Sequence, residues 1–215
     1  MYFVCKREED DCKELFGGAL GYFGDKESAM DAVHRNATDM RETIYPYTII
    51  ERLNQGIFPV PKEREWFGWE EEKDGFYKIA TPECAKYFPD GFSVALGAIG
   101  DENSEYTKAI PKVSDTNLPN YFIVVMTGDC KKLRRCGFFT DREIAFRAVR
   151  ENWRDIHSDT NDIALIECIT PDILAWSTER TWFKWNDEKC GYFEATVPEA
   201  FFDYPPPPHY SITFF

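Results

Sequence analysis

The chain is poor in histidine, in long apolar runs and in cysteine patterns suited to metals, and each shortage excludes a class of function. Only three of its 215 residues are histidine, His34, His157 and His209, and none lies within five residues of a cysteine. The seven cysteines, Cys5, Cys12, Cys84, Cys130, Cys136, Cys168 and Cys190, lack the short C-x2-4-C knuckles typical of zinc, so no metal site is expected. Their odd number, in a chain long enough to fold without staples, predicts reduced thiols, most of them serving as small buried apolar residues. No apolar stretch approaches the roughly 20 residues that span a bilayer. The opening Met1-Tyr2-Phe3-Val4-Cys5-Lys6 has none of the basic and apolar regions of a signal peptide, and a cytoplasmic location is expected. The patterns G-x-S-x-G, H-E-x-x-H, G-x-x-x-x-G-K-[ST] and G-x-G-x-x-G are absent, which removes the commonest hydrolase, zinc-protease, ATPase and dinucleotide signatures. Positive charge is also short: 25 Lys and Arg stand against 38 Asp and Glu, a net charge of −13. That balance argues against direct binding to nucleic acid or an anionic membrane, and predicts a protein partner with a basic surface.

What is present begins with core material, since 43% of residues are hydrophobic and 16% aromatic, ample for a folded domain. The chain also repeats itself. Shifting it by 116 aligns Gly21 to Glu83 with Gly137 to Glu199 without a gap, with 22 identities in 63 pairs. Arg64-Glu65-Trp66-Phe67-Gly68-Trp69 falls on Arg180-Thr181-Trp182-Phe183-Lys184-Trp185. Outside that stretch Tyr2-Phe3-Val4 resembles Tyr121-Phe122-Ile123, and Phe92-Ser93-Val94 resembles Tyr210-Ser211-Ile212. The reading is a tandem duplication of a unit of about 95 residues, too long for a solenoid repeat: unit one over 1–100, a polar linker over 101–120, unit two over 121–215. Two copies of one small fold are expected to face each other about a pseudo-twofold axis, as a covalent homodimer would.

Within each copy the pattern predicts an α+β class, a mainly antiparallel sheet with one main helix. A hairpin comes first, from Tyr2 to Lys6 and Gly18 to Phe23. In the helix that follows, Ala29, Ala32, Val33 and Asn36, and Ala145, Ala148, Val149 and Asn152, form a small-residue stripe. Thr140-x-x-Glu143 reads as a capping box, with Gly24 at the corresponding place. Tyr47 to Leu53 and Ile163 to Ile169 read as buried strands. A second hairpin follows, in which Gly75 and Gly191 are expected to supply the positive φ that closes the loop. Pro82-Glu83 and Pro198-Glu199 start a turn or short helix, and a last apolar strand ends each copy.

The candidate binding residues are Arg64, Trp66, Arg180 and Trp182. Alternation in a strand puts Phe67 and Trp69 on one face and Arg64, Trp66 and Gly68 on the other. Because position 68 becomes Lys184 in the second copy, the Trp66 and Trp182 face reads as only partly covered. It is either a pair of aromatic platforms with Arg in cation–π contact, or packing against the helix or between the copies. Glu51 and Glu167 interrupt apolar strands at matching places, where an unpaired carboxylate is costly. Each is expected at an edge or paired with a cation, Arg64 or Arg180. Catalysis would need a second group that the spacing does not supply. No histidine has a counterpart in the other copy: His34 falls on Arg150 and His157 on Arg41. An enzyme is therefore not expected, and neither catalytic residues nor a cofactor are assigned.

Other features read as surface. Glu8-Glu9-Asp10-Asp11 is acidic where Lys131-Lys132-Leu133-Arg134-Arg135 is basic, and Pro205 to Pro208 reads as a stiff connector. The expected function is non-enzymatic binding of a protein partner. In general character the chain is similar to small mobile-element or phage inhibitors that occupy basic nucleic-acid-binding surfaces, a similarity of type that carries no residues over. The alternative is a binder of a nucleotide or other planar ligand, held on the Trp and Arg platforms or in the cleft between copies.

Overall fold

In a computed structural model of the protein, the structure describes residues 1–7, 18–37, 40, 46–101, 118–158, 160–174, 176–203 and 211–214. The first half contributes β1 (Tyr2–Arg7), β2 (Ala19–Phe23), α1 (Lys26–His34), β3 (Tyr47–Arg52), β4 (Gly56–Ile57), β5 (Glu63–Glu70), β6 (Gly75–Ile79), β7 (Phe92–Ser93) and β8 (Ala98–Ile99). The second half contributes β9 (Asn120–Met126), β10 (Leu133–Phe139), α2 (Arg142–Arg150), β11 (Ile163–Ile169), β12 (Asp172–Ile173), β13 (Ser177–Asn186) and β14 (Gly191–Ala195). One six-stranded sheet has the order β12-β2-β1-β3-β5-β6 and the other β14-β13-β11-β9-β10-β4, with β7 and β8 as a separate pair. Among the described residues every pairing is antiparallel. The class is mixed α and β with antiparallel sheets, as the periodicities predict.

Each nine-residue helix is too short to be stable alone and is held by its apolar face. Ala29, Ala32 and Val33 bury against Val4, Ile50, Phe67 and Phe76. Ala145, Phe146, Ala148 and Val149 bury against Ile123, Ala164, Ile166 and Phe183. The N-caps are aspartates, one residue later than the capping box places them. The Asp25 carboxylate accepts from the Ser28 N–H at 2.8 Å, and that of Asp141 from the Ile144 N–H at 3.0 Å. Asp is a stronger cap acceptor than Thr, and Thr140 is engaged elsewhere. Asn36 and Asn152 lie outside the helical stripe: at φ of 49° and 50° they take the left-handed position after each helix. The N–H groups of Ala37 and Trp153 then return to the carbonyls of Ala32 and Ala148, both at 2.9 Å, which completes a Schellman turn.

The two halves trade strands. β4 adds to the edge of β10, with Ile57 opposite Gly137, and β12 adds to the edge of β2, with Ile173 opposite Gly21. Ile57 and Phe58 are buried in the helix-side core of the second half, and Ile173 in that of the first. Gln55 reinforces the exchange by accepting from both the N–H and the hydroxyl of Thr140 at 3.0 Å. Arg154 donates to the carbonyls of Ile57 and Phe58 at 3.1 and 3.2 Å. A further core between the halves contains Phe3, Tyr22, Phe122 and Phe138, with Phe3 and Phe138 centroids 5.3 Å apart and Tyr22 and Phe122 centroids 5.0 Å apart.

Two expectations need correction. The left-handed residues of the second hairpins are Asp74 and Cys190, at φ of 49° and 48°. Gly75 and Gly191 are required instead by close approach, since a Cβ there would lie 2.7 Å from the His34 carbonyl oxygen and 3.1 Å from that of Arg150. The last apolar segments do not extend the large sheets: among the described residues β7 pairs only with β8, and residues 211–214 form no strand. Of the expected linker, residues 102–117 lie outside the described residues, and Asn120 already begins β9. The acidic loop at Glu8 to Asp11 and the prolines at 205–208 also lie outside them.

Candidate functional site

The most highly organised polar groups are the two strand carboxylates, Glu51 on β3 and Glu167 on β11, both fully buried. Arg64 sits directly across from Glu51 in the register and Arg180 across from Glu167, so the strands themselves aim each guanidinium. Arg64 donates to Glu51 Oε1 through Nε at 3.0 Å and Nη2 at 2.6 Å. The other donors come from the segment folded over that face: Ser93 Oγ at 2.6 Å and the N–H groups of Val94 and Ala95 at 3.2 and 3.1 Å. Glu167 accepts from Arg180 Nε at 2.8 Å, from Ser211 Oγ at 3.2 Å, from the Ile212 N–H at 3.1 Å, and from the Thr213 N–H and hydroxyl at 2.8 Å. Both oxygens of each carboxylate are occupied, as a buried carboxylate requires. Chemically the arrangement is a clamp that fastens a loop to a sheet, the ion-pair reading of these residues.

The four candidate binding residues are gathered at these clamps. Trp66 is 3% exposed and Trp182 5%, so neither indole presents an open ring face. Trp66 stacks on Phe88 with centroids 6.0 Å apart, and Trp182 meets Phe201 edge-on at 4.8 Å. The cation–π partner of Arg64 is Phe88, 5.2 Å away. Lys184 is exposed as its polarity suggests, yet Trp182 on the same face is covered because the short 3-10 helix Glu199–Asp203 brings Phe201 over it. Trp176 is the indole that strand alternation overlooked. At 57% exposure it precedes β13, and the polar run Ser177-Thr178-Glu179 beside it was the available signal.

Charge is distributed unevenly. In the first half Asp25, Glu27 and Asp31 line the outer side of α1, while Glu71, Glu72 and Asp74 occupy the exposed β5–β6 tip. That tip abuts the helix end: His34 Nδ1 lies 2.7 Å from the Phe76 carbonyl oxygen. Beneath it Glu65 binds Lys26 and Lys78. Burial works to raise the Glu65 pKa, but the two ammonium groups together outweigh it and hold the carboxyl below its usual range. In the second half the outer side of α2 carries Arg142, Arg147 and Arg150 beside exposed Glu143, with Arg142 paired to Glu179 and Arg150 to Glu194, while Asp187 and Glu188 sit on the exposed β13–β14 tip. The basic loop is partly turned inward, with Arg134 donating to the Ile156 carbonyl at 2.9 Å and Arg135 to that of Thr213.

Burial pushes the Cys136 thiol up to about 12, far from the thiolate that a nucleophile needs. Burial likewise raises the phenols of Tyr22 and Tyr192; they donate to the carbonyls of Ile169 and Asn161. Among the described residues no group of three or more His, Cys, Asp and Glu is placed to hold a metal ion, and no helix is long and apolar enough to cross a membrane. A groove of about 410 Å³ in the second half runs between Ile163, Lys184 and the segment Ala195 to Ala200. No family model, no curated protein and no solved structure matches the chain.

Proposed function

We propose that the protein is a non-enzymatic binding protein made of two copies of one unit about a pseudo-twofold axis, and that the acidic surface of its first half engages a protein partner with a basic surface. The observation that carries this reading is the exposed carboxylate surface of Asp25, Glu27, Asp31, Glu71, Glu72 and Asp74, against Arg142, Arg147 and Arg150 on the outer side of α2. Two units of this kind that differ in the balance of surface charge would favour a basic partner at the first half, where exposed carboxylates outnumber the cations beside them. An inhibitor of a nucleic-acid-binding protein is the specific form of this reading, with carboxylates standing where phosphates would. The clamps support a non-enzymatic role, because Glu51 and Glu167 spend both oxygens on structural donors. The planar-ligand alternative draws no support from Trp66 and Trp182, whose faces are covered.

The test is capture of partners from cell extract at low salt, followed by stepwise salt elution, with the native chain beside a Glu27→Lys, Asp31→Lys, Glu71→Lys, Glu72→Lys variant. The expected result is a basic protein released as ionic strength rises through about 0.1 to 1 M, where the screening length falls from about 10 to 3 Å, and not retained by the variant. Retention that ignores both salt and charge reversal would overturn the reading.

A further inference from the structure

The strand-exchange edges carry an inference that rests on the duplication reading and goes beyond partner binding. Each edge is a slot fitted to a particular strand. At Gly21 an added Cβ would fall inside contact distance of the Asp172 backbone and lie 2.7 Å from the Ile173 Cα; at Gly137 it would meet the Gly56 backbone and lie 3.1 Å from the Ile57 Cα. Only glycine lets the incoming backbone approach this closely. Beside each glycine the ladder is bulged, and the displaced residues, Leu20 and Cys136, turn their carbonyls to the incoming chain. The Leu174 N–H donates to Leu20 at 2.8 Å and the Phe58 N–H to Cys136 at 2.6 Å. The incoming segments have one design: an isoleucine buried in the other half's core, then a residue in the left-handed region, Phe58 at 45° and Leu174 at 50°.

Donor and acceptor are therefore both present within each half. The first half holds the slot at Leu20 and Gly21 and the strand Gly56–Ile57; the second holds the slot at Cys136 and Gly137 and the strand Asp172–Ile173. A surface that carries both parts of one contact is self-complementary, the requirement for pairing with a like copy. We propose that the Gly21 and Gly137 edges are strand-acceptor sites for a second copy of the same unit, so that first half pairs with first half, and second with second, once they are released from each other. In the intact chain the covalent neighbour wins because tethering gives it a high effective concentration. The partner these sites fit is another chain bearing this unit, recognised by main-chain strand addition with one isoleucine socket.

The experiment uses the whole chain with a protease site inserted in 102–117, cut after folding, warmed through partial unfolding, cooled, and weighed by native mass spectrometry. Mixed pairs together with first–first and second–second pairs are expected. Mixed pairs and single fragments without either like pair would overturn the proposal. In the cut chain, Gly21→Val should reduce first–first pairs by at least about tenfold and leave second–second pairs in place. Like pairs that persist undiminished would show association through another surface and would equally overturn it. Should Gly21→Val prevent assembly, Ile57→Ser removes the donor and should give the same selective loss. The duplication reading is checked separately by the mixed pairs: Ile57→Ser and Ile173→Ser should weaken them alike, whereas dependence on only one of the two strands would break the twofold reading itself.

Discussion

The loops held by Glu51 and Glu167 are fastened by the same device with different reserves. In the first half the segment under Glu51 has support of its own: Phe92 and Ser93 pair with Ile99 and Ala98, and Arg64 also donates to the Phe92 carbonyl at 2.5 Å. In the second half residues 211–214 form no strand. Ser211, Ile212 and Thr213 instead converge on Glu167, with Thr213 adding its hydroxyl. The difference teaches that a buried carboxylate can replace a strand partner. Four or five donors aimed at two oxygens organise a loop that has no ladder to join.

Removing the carboxylates is the strongest way to break the comparison. Glu51→Ala and Glu167→Ala each remove the carboxylate that a guanidinium and several buried donors share, a loss of about 3–5 kcal/mol for a broken buried pair. Glu167→Ala should be the more damaging, because among the described residues its loop joins no strand pair of the β7–β8 kind and is otherwise tied to the sheet by the Arg135 bond to the Thr213 carbonyl. Urea unfolding monitored by tryptophan fluorescence measures both. Losses below about 1 kcal/mol, the usual range of exposed ion pairs, would show that the clamps do not hold the loops.

The glycines sharpen the comparison at the next level. Gly21→Ala and Gly137→Ala force backbone against backbone and should cost about 3 kcal/mol each, the upper range of overpacking, with the larger loss at Gly137, whose φ of 156° adds backbone strain. Gly75→Ala and Gly191→Ala should also differ. The added methyl would lie 2.7 Å from the His34 carbonyl oxygen but 3.1 Å from that of Arg150, so the first should exceed the second by about 1 kcal/mol. Equal losses at Gly75 and Gly191 would mean that the helix end gives way as easily in one half as in the other.

The Glu51 and Glu167 pairs are legible in the sequence because their pattern is local. A carboxylate in an apolar strand needs a cation, and the arginine lies one hairpin away in both halves. The exchange could not be read the same way. Gly56–Ile57 and Asp172–Ile173 are two residues long and carry no periodicity, and their pairing partners lie about 80 or 150 positions away in the chain. The glycines at 21 and 137 were visibly matched, but their reason is a backbone from the other half. Trp66 and Trp182 failed as platforms for a related cause. Strand alternation reports which side a residue faces, and it does not report that Phe88 or Phe201 folds back over that side. Thr140 misled at the helix start because its hydroxyl is drawn to Gln55 in the first half.

The smallest expected difference lies at the two helix N-caps. Asp25 accepts from both the N–H and the hydroxyl of Ser28, each at 2.8 Å, while Asp141 accepts from the Ile144 N–H alone in a position where no hydroxyl follows. Loss of either cap should cost about 1 kcal/mol, slightly more for Asp25→Ala. The two Ser28 bonds, the backbone one foremost, hold the Asp25 carboxyl below its ordinary value. A carboxylate with a depressed folded-state pKa stabilises the fold fully above its unfolded pKa, and that stabilisation is lost as pH falls through the folded one. The gap between wild type and Asp25→Ala should therefore be widest near neutral pH and should close on acidification past the ordinary carboxylate range. Urea midpoints collected across that range test the point, and a gap that stays constant into acid would show that the cap acts through the shape of the Asp side chain and not through its charge.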